Sequence, residues 1–144
     1  MPKQGYNFSQ LQVGQSETVE TVIKKSMIEA FAEVTGDTNP VHLDADYAAG
    51  TIFKEPIAHG MLSAGLISAV LGTRLPGPGA VYLSQSLAFK RPVKIGDTVV
   101  VTVTVTDKQE RRRTVTFETV CTVNDKVVVT GEAVTQVPAG DAQP

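Results

Sequence analysis

The chain has 144 residues, 42% of them hydrophobic and 19% charged, a formal net charge of −2, two histidines and one cysteine. That size suits one domain whose core folds without disulfide or metal support. The slight negative charge argues against broad binding to nucleic acid or an anionic membrane surface. No apolar run is long enough for a membrane span.

The opening segment, MPKQGYNFSQ, has no apolar stretch after its lysine and so lacks a secretory core, which predicts a cytoplasmic protein. Glu17 to Lys25 reads as a strand. Ser26-Met27-Ile28-Glu29 fits a capping box, so a helix is expected to start there. Met27, Ala30, Phe31 and Val34 recur at helical spacing, and Gly36 is placed to end that helix in the left-handed conformation. Asp44 is placed to cap a short helix from Ala45 to Ala49, closed by Gly50, which leaves residues 37 to 43 as a tight connector.

That connector lies in TGDTNPVHLD, residues 35 to 44, and holds Asp37, Asn39 and His42 around a proline. Pro40 lacks an amide hydrogen and disfavours helix at Asn39, so the first helix cannot run through it. A bent backbone can turn Asp37 and His42 toward one point, whereas a straight strand would put them on opposite faces. One water would then fit between a histidine, which ordinarily titrates near pH ~6.5, and a carboxyl, a pairing suited to proton transfer. The same residues also serve plain turn chemistry, with Asp37 and Asn39 shaping the loop and His42 on the surface. A metal reading would need His42, Asp44 and Asp46, which fall beside a helix start without a second histidine or cysteine, so no metal is expected.

Gly60 to Leu75, apolar on nearly every side and rich in Gly, Ala and Ser, predicts a central helix buried on most faces. In Ala58-His59-Gly60-Met61, Gly60 could present backbone amides at the positive end of that helix, where a carbonyl oxygen would bind. Equally, Gly60 only starts the helix and His59 packs structurally. Pro76-Gly77-Pro78-Gly79 breaks the chain, after which the period becomes two. Stretches 80 to 90, 99 to 106, 113 to 123 and 126 to 137 are β-branched and predict four strands. Asn124-Asp125 suits a two-residue hairpin turn, and Asp107 to Arg113 a longer polar connection. With Glu17 to Lys25 as a fifth strand, the expected class is α+β, an antiparallel sheet with helices on one face. Cys121 falls inside an alternating apolar stretch and is expected to be a buried small hydrophobe. Residues 1 to 138 form one domain in this reading, and Ala139 to Pro144 a flexible polar tail.

The run Phe31 to His42, with Ala48 after it, resembles the signature of the MaoC-like (R)-specific enoyl-CoA hydratases. The similarity continues through PIAHGM at 56 to 61, YLSQSLAFKRPVKIGD at 82 to 97 and TGEAV at 130 to 134. The resemblance implies a hot-dog fold, in which a curved antiparallel sheet wraps a long helix, and a homodimer that binds acyl-CoA at the subunit interface and needs no cofactor. It implies reversible hydration of trans-2-enoyl-CoA to (R)-3-hydroxyacyl-CoA, a supply for polyhydroxyalkanoate synthesis. Asp37 and His42 would be the catalytic dyad, Asn39 would orient it, and the Gly60 amide would serve the oxyanion site. Ser68, Leu71 and Val134 would line the acyl pocket. Lys90, Arg91 and Lys94, or else Arg111 to Arg113, would meet the CoA phosphates; each cluster also reads as a solvated face. The alternatives are a dehydratase or hydratase acting on acyl-carrier protein or on a branched dicarboxylic acyl-CoA, and a noncatalytic acyl-CoA-binding module. A thioesterase would be expected to carry an acid on the central helix, and residues 60 to 75 hold none.

Overall fold

A computed structural model describes residues 4 to 139. The polar tail lies outside the described residues apart from Ala139. After a 3-10 turn at Phe8–Gln10 come β1 (Ser16–Val22), α1 (Lys25–Thr35), α2 (Pro40–Leu43), α3 (Ala45–Ala49) and α4 (Gly60–Thr73). The second half supplies β2 (Val81–Gln85), β3 (Ala88–Phe89), β4 (Thr98–Gln109), β5 (Thr114–Val123) and β6 (Lys126–Gln136). All pair antiparallel in one six-stranded sheet of order β1-β4-β5-β6-β2, with β3 also on β6. The expected α+β class is what forms.

The sheet follows from the two-residue period. Val99, Val101, Val103 and Val105 of β4 and Val115, Phe117, Thr119 and Cys121 of β5 all face inward and are buried. All but Thr119 meet Ile67, Val70 and Leu71 of α4 in one cluster. Each fully buried side chain of this size stabilises the fold by about 1.5–3 kcal/mol relative to exposure, so this inner face is the main source of stability. The β5–β6 turn is the two-residue hairpin expected, with Asn124 at φ 51° and Asp125 at φ 66°, a pair of positive angles that matches the twist of the strands. Cys121 is wholly buried, and burial pushes its thiol up to about 12, as befits a packing residue.

Three expectations change. Ser26 does not cap α1, which starts at Lys25 with Lys24 at the cap position and no side-chain cap. The cause is tertiary: the Ile23 amide donates to Asp97 O at 2.8 Å and its carbonyl accepts from Gly96 at 2.8 Å, which fixes the entry of the chain two residues early. Stretch 80 to 90 is two short strands on the same edge of β6, interrupted where Ser86 closes on Gly131; a Cβ on Gly131 would lie 1.9 Å from Ser86 O, so only glycine fits there. Finally, the connector is not all loop, since Pro40–Leu43 close a helical turn. Smaller shifts sit at the ends: β1 stops at Val22, α4 at Thr73, and β4 runs on to Gln109.

Candidate active site

Local turn chemistry builds the first half of the site. Gly36 sits at φ 81° and ends α1 as predicted, its amide donating to Ala32 O at 2.8 Å. Thr35 Oγ1 then accepts from the Asp37 amide at 3.1 Å, Asp37 Oδ1 from the Asn39 amide at 3.2 Å, and Asn39 Oδ1 from the Val41 amide at 3.1 Å. These are successive side-chain turns, the last of which caps α2 with Pro40 at its first position. Asn39 therefore touches both sides of the site, steadying the Asp37 carboxylate through its main chain and the helical turn of His42 through its side chain.

Two longer reaches complete it. His42 Nδ1 donates to Ile57 O at 2.7 Å. A carbonyl only accepts, so the proton is on Nδ1 and the lone pair of the neutral ring is on Nε2. His59, buried just before α4, donates from Nε2 to the main-chain carbonyl of Asp37 at 3.0 Å. Its ring stacks on His42 with centroids 3.9 Å apart and meets Phe31 at 4.7 Å. One donor atom each from Asp37, His42 and His59 lies within 4.8 Å of the others. A water hydrogen-bonded to Asp37 and His42 at about 2.8 Å each spans such a gap.

The trio is also compact enough to meet one metal ion, in place of the His42, Asp44 and Asp46 set. Asp44 Oδ1 is instead taken up by the Asp46 and Tyr47 amides as the cap of α3. In the trio, His59 has given Nε2 to a carbonyl and its Nδ1 is buried, so an ion would have to displace packing to reach it. The residues suit a water-holding site better than a metal centre.

A cleft of about 770 Å³ joins Asp37, His42 and Gly60 to Ser68 and to Tyr82 and Leu83 of β2. Gly60 is the first residue of α4, where helix amides point outward, and its own amide has no acceptor among the described residues. The ring of Phe89 lies against its Cα, so that a Cβ would sit 2.8 Å from the ring. Ser68 is on the cleft wall. Leu71, one turn further along α4, is buried in the core cluster, and Val134 sits in β6 opposite Ser84; neither lines the cleft of the single chain. Sequence reading missed His59 and the wall from β2. The wall includes Tyr82, whose phenol is pushed up by burial and donates to Gln85 Oε1. Only the His-Gly pair ahead of an apolar helix hinted at His59.

Residues 8 to 127 match the family described as MaoC like domain. The chain is 58% identical over 132 residues to an (R)-specific enoyl-CoA hydratase of Rhodospirillum rubrum, covering 92% of each. It is 53% identical over 131 residues to a 3-hydroxybutyryl-CoA dehydratase of Methylorubrum extorquens, covering 91% of this chain and 83% of that one. Among solved structures, the unliganded R-hydratase PhaJ1 of Pseudomonas aeruginosa superposes with a TM-score of 0.90 at 48% identity, over 94% of this chain and 87% of that one. The fold shared with it is the hot-dog, a sheet curved about α4.

Proposed function

We propose that this chain, which belongs to the MaoC-like family, uses Asp37 and His42 to add water reversibly to trans-2-enoyl-CoA, giving (R)-3-hydroxyacyl-CoA. The observation that carries the reading is the meeting of an aspartate and a histidine within 4.8 Å on one cleft that also holds Gly60. His42 Nε2 takes a proton from the water as the hydroxide oxygen bonds to C3, C2 receives on the same side a proton carried by Asp37, and the proton left on His42 then passes to Asp37 to restore the pair. As the C2–C3 double bond opens, charge gathers on the thioester oxygen, where the Gly60 amide meets it at the positive end of α4. Dehydration runs the same steps backwards, in keeping with the dehydratase among the relatives.

The acyl chain lies against Ser68 in the cleft, with Leu71 and Val134 behind the wall as further determinants of chain length. For the CoA phosphates the favoured cluster is Lys90 and Arg91. They edge a second cleft of about 470 Å³ that shares Gly60 and Met61 with the first. Lys94 is drawn instead to Glu55 at 3.3 Å. Arg111 to Arg113 follow β4 at the Gln136 end of β6, whereas Phe89 pairs with Val129; at a rise of about 3.3 Å per residue, these ends are over 20 Å apart.

A homodimer belongs to this reading. Edge strand β2 leaves Val81 and Leu83 exposed, and Met61 of α4 is exposed beside it, so the cleft wall is half open in one chain. A second copy would close it. A cytoplasmic location and a supply role for polyhydroxyalkanoate synthesis are parts of the same proposal. No helix among the described residues is long and apolar enough to cross a membrane.

The test is hydration of crotonyl-CoA, followed by resolution of the product enantiomers. Loss of the conjugated absorbance with an R product supports the reading. An S product, or no loss with folded protein, overturns it.

A further inference from the structure

His59 is 2% exposed, and its Nδ1 is a buried nitrogen with no hydrogen-bond partner among the described residues. Such an atom destabilises a core, and an apolar side chain of similar size would avoid the cost. What the imidazole does in exchange lies on its other atoms. Nε2 holds the main-chain carbonyl of Asp37 at 3.0 Å, and the ring face lies on that of His42 at 3.9 Å and 29°. Phe31 closes against it at 4.7 Å. Its peptide carbon is bonded to the nitrogen of Gly60, the proposed oxyanion donor. One buried residue is thereby joined to the acid by a hydrogen bond, to the base by stacking and to the oxyanion amide by the chain itself. Asp37 and His42 come from one connector, which Ile57 ties toward α4 at Val41 and His42 and which His59 ties at Asp37.

We propose that His59 is a positioning residue for the hydration step, fixing the spacing of Asp37 and His42 relative to the Gly60 amide. It acts on the reacting atoms through Asp37 and His42. This rests on the hydratase reading, so wild-type protein must first hydrate crotonyl-CoA, and failure there rejects that reading separately. Two variants then separate its functions from plain packing. His59→Phe keeps a ring against His42 but removes the donor, and His59→Gln keeps an N–H donor to Asp37 O.

Misplacing reacting groups by about 1 Å costs up to a hundredfold in rate. His59→Phe is therefore expected to lower kcat by about tenfold or more with KM within about threefold, and His59→Gln to retain at least about a third of wild-type kcat. A folded His59→Phe enzyme with kcat within about twofold of wild type overturns the proposal, as do equal losses in both variants that track their loss of Tm. If His59→Phe does not fold, His59→Gln decides: kcat within about threefold and an unchanged pH–rate profile support it, and any other result overturns it.

Discussion

Along β4 and β5 nearly every second side chain is buried, and the strands are held by what those side chains exclude from water. Between Thr35 and Asp44 no side chain is buried. That segment is held by polar geometry: the three successive side-chain turns at Thr35, Asp37 and Asn39, and the reach of His42 to Ile57 O. The sheet stores the stability, and the connector spends little of it while presenting the reactive groups to solvent and substrate. Damage to the two regions should therefore register in different measurements.

The sharpest way to break the contrast is at the dyad. Asp37→Asn and His42→Ala are each expected to lower turnover by about a hundredfold or more, the usual scale of general acid–base contributions. Thermal unfolding of Asp37→Asn should stay close to wild type, because the amide keeps the oxygen that takes the Asn39 N–H, whereas His42→Ala, which loses the Ile57 bond and the stack on His59, should also cost about 1 kcal/mol. Phe117→Ala inverts the pattern. Removing this fully buried ring from β5 should cost about 3–5 kcal/mol in denaturant unfolding, with kcat per folded molecule preserved.

Asn39→Ala tests the middle ground. It removes the cap on Val41 but not the main-chain amide that steadies Asp37, so about 1 kcal/mol of stability and a smaller loss of activity than at the dyad are expected. Cys121 gives the smallest signal at neutral pH. Its folded thiol lies near 12 against an ordinary 9.0, so the favourable contribution is complete below about pH 9 and fades as the pH rises toward 12. Native protein at pH 8 should not react with a thiol reagent, and denaturant should expose one equivalent.

The same contrast explains what could be read from sequence. Gly36, the Asp44 cap, the Asn124-Asp125 turn and the inward valines are fixed by neighbours within a few residues, and all were legible. Asp37 and His42 were readable as a pair because the proline between them forces the bend. What escaped depends on distant contacts. Ser26 looked like a cap, but the pinning of Ile23 to Gly96 and Asp97 moved the helix start. The strand from 80 to 90 is interrupted where Ser86 closes on Gly131, 45 positions along the chain. His59 looked like core packing because its partners, Asp37 and His42, lie on the far side of α3.

The contact between His42 and Ile57 has an implication for engineering. The ring is aimed by a peptide oxygen, and the amide of the same residue returns a bond to Val41 O at 3.2 Å. Exchange of the isoleucine for most other amino acids leaves both links standing, so a scan of side chains at that site would find tolerance. An added or deleted residue between Gly50 and Pro56 would slide the oxygen out of line, and proline at 57 would cut the return bond. Loop length there, more than loop composition, governs whether the base faces its water.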